Sequence, residues 1–110
     1  MKEKIDFAEY LDINSRLEIK IGKIVECERV PKSKKMLKLL VDFDSEKRVV
    51  LTNIGAVYEP ESLIGIMMPF ITNLHPMEMM GIVSEAMIVI GKHNEADILN
   101  VLDYKPGTMI

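Results

Sequence analysis

Apolar residues alternate with polar ones from residue 17 onward, and this two-residue period constrains the fold more than any other feature of the chain. Leu17, Ile19 and Ile21 are each separated by one charged residue. Side chains of a strand point alternately to its two faces, so the pattern is typical of a strand with one buried face. The period continues to residue 27 across Gly22, where the missing side chain predicts a bend or bulge.

Similar signals predict a series of strands interrupted by a short helix. The strands are expected at residues 17–27, 37–43, 47–54, 66–72 and 84–90, with a further strand at 98–102. A helix is predicted within 58–65, because Pro60 stands near its start and Gly65 closes it. A short helix or arm is predicted at residues 6–13, and an irregular loop is predicted at residues 73–83. Pro69 indicates an edge or bulge position in its strand.

Three strands, a short helix and two more strands follow each other in the order of an OB-fold, a small partly open barrel. We therefore expect an all-β protein with a five-stranded OB-fold barrel, a short helix between strands 3 and 4, and a C-terminal strand extension. A small SH3-like barrel and an incomplete sandwich fit the same pattern almost as well. The 110 residues suit one domain. We expect it to cover 1–110, with the barrel over 14–91 and the extension over 92–110.

Cysteine content and hydropathy indicate the compartment. A single Cys excludes an internal disulfide framework, and the first residues alternate charges with isolated apolar side chains instead of forming a signal core. The longest apolar runs are far shorter than the about 18 residues of a membrane-spanning helix. We therefore expect a cytoplasmic protein without a membrane partner.

The net charge of −3 taken alone argues against nucleic-acid binding, but the charge is unevenly distributed. Residues 29–38 contain no acid and hold five cations, namely Arg29, Lys32, Lys34, Lys35 and Lys38. This segment joins the first two predicted strands, and OB-folds use that connection to bind nucleic acid. Lysines supply point charges suited to phosphates. The alternative is a solvated loop that only adds solubility.

Catalytic chemistry has little support in the sequence. The two His lack metal-ligand spacing, and no nucleophile motif, phosphate-binding glycine loop or carboxylate cluster is present. Cys27 falls at an inward position of the first strand, where a free Cys behaves as a small hydrophobic residue. The sequence therefore predicts no enzyme, no cofactor and no metal.

Methionine is abundant, with nine residues in the chain and six of them between positions 67 and 87. Met67, Met68 and Met87 are expected to fill a core that is short of aromatic residues. For Met77, Met79 and Met80 two interpretations are equally good: core filling, or an adaptable surface for a peptide or a second subunit.

Several sequence blocks in the same order resemble the tRNA-binding OB module family. The blocks are LEIKIGKIV at 17–25, KKML at 34–37, YEPESLIG at 58–65, NLHP at 73–76 and SEAM at 84–87. That family includes the carboxy-terminal domain of methionyl-tRNA synthetases, a free-standing structure-specific tRNA-binding protein and secretion-chaperone relatives. Its members bind the outside corner of tRNA by shape and phosphates, usually as a dimer or as an appendage of a synthetase.

The resemblance implies a non-catalytic tRNA-binding protein that acts in trans as an appendage of methionyl-tRNA synthetase. tRNA, a second copy in a homodimer and an aminoacyl-tRNA synthetase are the implied partners. The resemblance also implies that the extension at 92–110 supplies the short strands that pair two subunits. Together with the charge pattern, it predicts an RNA-binding site of Arg29, Lys32, Lys34, Lys35, Lys38, Asn73, His75, Ser84 and Met87.

One segment departs from the family pattern and favours a second hypothesis. Where the family carries cations, this chain has His75, Met77 and Glu78. Beside Met79 and Met80, these replacements suit a peptide-binding or chaperone-like protein-interaction module of the same fold. In that hypothesis Met77, Met79 and Met80 form the protein-interaction site.

Overall fold

The computed structural model describes residues 1–91 and 105–110 of the chain. The helices are α1 (Phe7–Arg16) and α2 (Pro60–Leu63). The strands are β1 (Ile19–Arg29), β2 (Leu37–Asp42), β3 (Lys47–Thr52), β4 (Met67–Ile71), β5 (Met77–Met79), β6 (Ile82–Ser84) and β7 (Met87–Ile88). No helix in these described ranges is both long and apolar enough to cross a bilayer.

Five antiparallel strands form one sheet in the order β3-β2-β1-β4-β7. The sheet curves until its two edges approach each other. There the Glu85 N–H donates to the Val49 carbonyl at 2.9 Å, and the Leu51 N–H donates to Ser84 Oγ at 3.0 Å. The result is a nearly closed barrel with α2 between β3 and β4, which confirms the predicted fold.

The core consists of the inward-facing side chains of the barrel strands, closed from one end by Leu63 of α2. Phe43 and Phe70 meet edge to face, with ring centroids 5.5 Å apart. This geometry is favoured by the ring quadrupoles. Met68 is buried as expected, Met67 is half-buried, and Met87 is exposed, so the core-filling prediction is wrong for Met87.

Gly22 is not the bulge that the sequence suggested. The register of β1 against β2 shifts between Ile24 and Glu26, while Gly22 pairs regularly with Met68 of β4. A Cβ at Gly22 would overlap Val41 Cγ1 and lie 2.7 Å from Phe43 Cε1. The glycine therefore permits close packing of β1 on the core.

Pro69 also differs from expectation, because β4 lies between β1 and β7 and is not an edge. Its partner across the ladder, Ile21, uses its own N–H and carbonyl for Thr108 and Gly107. The Pro69 carbonyl accepts a hydrogen bond from the Val89 N–H at 3.0 Å. The β1–β4 ladder therefore needs no N–H at residue 69, and the imino acid is tolerated.

Residues 77–84 form a hairpin, so the prediction of an irregular loop at 73–83 is wrong from residue 77 onward, while residues 73–76 are irregular as expected. β5 pairs with β6 through a two-residue turn at Met80 and Gly81, whose φ angles are 54° and 78°. Two left-handed residues are the signature of a type I′ turn. All three residues of β5 are exposed, so no buried face marked the segment as a strand.

The chain ends by extending the sheet along β1. Lys20 forms an isolated bridge with Met109, and the Ile110 N–H donates to the Ile19 carbonyl at 2.9 Å. The further strand predicted at 98–102 lies outside the described residues. The predicted first helix is present as α1, which is longer than expected and buries none of its residues.

Candidate nucleic-acid interface

Residues 30–36, which join β1 to β2, form a compact turn that we name the lysine loop. The Val30 N–H donates to the Met36 carbonyl at 3.1 Å, and the Met36 N–H donates to Ser33 Oγ at 3.0 Å. The Lys35 carbonyl accepts a hydrogen bond from the Gly55 N–H at 2.7 Å. The loop backbone is therefore fixed both to itself and to the segment after β3.

Arg29, the last residue of β1, stabilises this loop through its side chain. Its guanidinium donates to the Gly55 carbonyl at 2.7 Å and pairs with Glu59 at 3.0 Å, and it reaches the Lys34 carbonyl at 3.4 Å. These bonds hold the lysine loop against the residues that precede α2. Arg29, predicted as an RNA contact, thus already has an acidic partner and a role inside the protein.

Lys32, Lys34 and Lys35 remain as unpaired charges on the loop. All three are exposed, and none forms an ion pair with another residue in the described part of the chain. Lys38, at the start of β2, lies 3.8 Å from the Glu28 carboxylate, a half-exposed pair of small energy. The loop therefore presents three unpaired cations on a fixed backbone, and Lys38 is available at little energetic cost.

Two other predicted RNA contacts are engaged within the protein. The Asn73 side chain donates to the Arg16 carbonyl at 2.6 Å and accepts from the Glu18 N–H at 2.9 Å. Ser84 is buried, accepts from Leu51 as described above, and donates to the Ala86 carbonyl at 3.1 Å. Asn73 ties the start of the hairpin segment to the α1–β1 junction, and Ser84 ties its end to β3.

All but one of the predicted residues not yet described lie around a cavity of about 380 Å³ between β3 and the hairpin. We name this cavity the hairpin groove. It is lined by Leu51, Leu74, His75, Met77, Met79, Ser84, Ala86 and Met87. Met80 lies at the exposed turn and is absent from this lining. The structure thus brings predicted RNA-binding residues and predicted protein-interaction residues into one groove, separate from the lysine loop.

Both groups lie at the same end of β3. Leu37, which follows the lysine loop, pairs with Thr52, while Ser84 bonds to the adjacent Leu51. Sequence reasoning missed Leu51, Leu74 and Ala86 as lining residues. The continuous apolar run through Val49 and Leu51 was an available signal, since such runs indicate a strand covered on both faces.

Cys27 is half-buried and packs against the core cluster. Removal of the thiol from water raises its pKa to about 11, with a further contribution from the Glu61 carboxylate. A thiol with a raised pKa is a poor nucleophile at neutral pH. Within the described ranges, no group of three or more His, Cys, Asp or Glu side chains could hold a metal ion.

Comparison with curated proteins finds methionine–tRNA ligases among the relatives of this chain. Methionine–tRNA ligase of Methanocaldococcus jannaschii is 40% identical over 96 residues, which are 87% of this chain and 14% of that enzyme. Methionine–tRNA ligase of Thermotoga maritima is 36% identical over 102 residues, 91% of this chain and 16% of the enzyme. The chain therefore spans only a small part of the length of these relatives.

Two solved structures cover nearly all of this chain. A MetRS related protein from Pyrococcus horikoshii superposes with a TM-score of 0.86 at 28% identity, covering 99% of both chains. The chaperone CsaA from Bacillus anthracis str. Ames shares the fold, with a TM-score of 0.79 at 24% identity over 98% of this chain and 99% of that one. The model of the family described as "Putative tRNA binding domain" matches residues 19–109. Since that match covers most of the sequence, the chain belongs to this tRNA-binding domain family.

Proposed function

We propose that this chain is a non-catalytic module that binds tRNA, and that the lysine loop holds the phosphate backbone. The observation that carries the proposal is the set of three exposed, unpaired lysines on a loop fixed by Gly55 and Arg29. Lysines on a fixed backbone can recognise the spacing of phosphates without reading bases. Lys38 adds a fourth cation whose weak ion pair a phosphate can displace.

The test is a titration of a labelled tRNA by fluorescence anisotropy at about 50 and about 200 mM salt. Three phosphate contacts predict a slope of log affinity against log salt of about −2.1 to −2.7, so affinity should fall roughly 20- to 40-fold between the two conditions. Absence of binding at the lower salt concentration would remove this function.

We further propose that the module acts in the cytoplasm in trans, as an appendage of a methionyl-tRNA synthetase. Supporting this, each methionine–tRNA ligase above carries the related sequence as about a seventh of its length. A module that adds phosphate contacts beside a catalytic body raises the affinity of the assembly for tRNA through effective concentration.

A homodimer is also part of the proposal. α1 buries none of its residues, although it carries the apolar side chains of Phe7, Tyr10, Leu11 and Ile13. A second copy could cover this apolar surface, and the resulting dimer would present the lysine loop twice. Light scattering at micromolar concentrations should therefore give twice the mass of 12.5 kDa. A constant monomer mass across that range would contradict the dimer and leave the tRNA proposal intact.

A further inference from the structure

The hairpin groove is an apolar surface open to water. Three of its lining side chains are largely exposed: Met77 at 61%, Met87 at 53% and Leu74 at 45%. Met79 and Ala86 add to the apolar wall, and Leu51 is buried below them. Grouped exposed apolar side chains mark a binding surface more often than isolated ones do.

No Asp, Glu, Lys or Arg is among the described residues that line the groove, and few of its polar groups are free. The Ser84 hydroxyl is already used by Leu51 and Ala86, which leaves the His75 imidazole as the free polar side chain among the described lining residues. Glu78 follows Met77 in β5 and pairs with Val83, so it belongs to the opposite face of the hairpin. The acid that replaces a family cation therefore does not face the groove.

One cation stands a strand away from this groove. Lys38 and Leu51 are directly paired across β2 and β3, so their side chains stand on the same face of the sheet about 5 Å apart at Cβ. The Lys38 ammonium itself lies on the β1 side, 3.8 Å from the Glu28 carboxylate, a weak pair that a phosphate can displace. One residue further along, the pair of Leu37 and Thr52 leads into the lysine loop. A ligand that spans both surfaces needs an anionic part for the lysines and an uncharged, weakly polar part for the groove.

We propose that the hairpin groove receives one unpaired nucleobase of the tRNA whose phosphates the lysine loop holds, an inference that rests on the proposed function. A nucleotide combines a phosphate with a flat ring that stacks on apolar and aromatic side chains. The polarizable thioethers of Met77 and Met87 adapt to a ring face, and His75 can bond a base edge. His75 and Met77, two of the three positions where this chain lacks the family cations, thus exchange phosphate contacts for a base contact.

The mutational test compares two pairs of exposed apolar residues, all of them between positions 77 and 87. Met77→Ala with Met87→Ala should lower tRNA affinity on the order of 10-fold, because one stacked base is lost. The salt slope should not change, since no phosphate contact is removed. The matched control, Met80→Ala with Val83→Ala, alters the turn and the opposite face and should change affinity less than twofold. Equal effects of both pairs would overturn the proposal.

A second measurement uses the wild-type chain and needs no variant to fold. With methionine methyl groups labelled with ¹³C, tRNA should shift the Met77, Met79 and Met87 resonances upfield through the ring current of the base, while Met80 stays unchanged. Unmoved groove resonances with tRNA bound would overturn the inference. Shifts of these resonances with an unfolded polypeptide but not with tRNA would also overturn the inference. Loss of all tRNA binding would instead remove the proposed function, which distinguishes the two failures.

Discussion

Replacing Lys32, Lys34 and Lys35 together with alanine is expected to lower the affinity for tRNA on the order of 10²- to 10³-fold at about 0.1 M salt. Each phosphate contact releases counterions and contributes about 0.7 to 0.9 to the salt slope. The slope measured for the variant should therefore be smaller in magnitude by about 2 to 3. The three side chains are exposed, so the variant should fold, and its stability should lie within about 0.5 kcal/mol of the parent.

The control variant removes the same charge elsewhere. Lys23, Lys47 and Lys105 are exposed, and they lie toward the end of the barrel opposite the lysine loop. Lys23 and Lys47 both pair with Asp42 in the β-ladders, and Gly107 near Lys105 approaches the Phe43 carbonyl. Alanine at these three positions should change the affinity for tRNA only through the overall electrostatic potential of the protein. If both triple variants weaken binding equally, the lysine loop is not the phosphate site.

Much of the fold was predictable because burial enforces periodicity. β2 alternates buried and half-buried positions through its whole length, and its predicted start at Leu37 coincides with the observed one. The hairpin was missed because β5 has no buried face and its turn is formed by Met80 and Gly81, not by the usual Asn-Gly pair. A strand without a buried face leaves no hydrophobic pattern in the sequence.

The candidate site was predictable to a smaller extent. Charge density along the chain identified the lysine loop without knowledge of the structure. The roles of Arg29, Asn73 and Ser84 depend on partners far away in sequence, such as Glu59 for Arg29 and Leu51 for Ser84. Residue type and position alone do not reveal such pairings, so the sequence could not show that these predicted RNA contacts also form bonds within the protein.

A substitution at Gly22 tests why a glycine occupies this position of β1. Gly22→Val should destabilise the protein by about 3 kcal/mol, the upper end of the cost of overpacking a core. Valine favours strands, so secondary-structure propensity alone predicts a small effect. The close approach of Val41 and Phe43 leaves no room for even one Cβ. Urea unfolding followed by circular dichroism measures the difference.

A double-mutant cycle with Val41→Ala identifies the packing origin of that cost. Val41→Ala removes the methyl group that the new side chain would overlap, so Gly22→Val should cost at least about 1 kcal/mol less in that background. Gly65→Ala provides the contrast: Gly65 has a φ of 89° and no atom near its missing Cβ, so its cost of about 1 kcal/mol comes from the backbone alone. That cost should be identical with and without Val41→Ala. An additive cycle at Gly22 would mean that the glycine serves the strand backbone and not the packing of β1 on the barrel core.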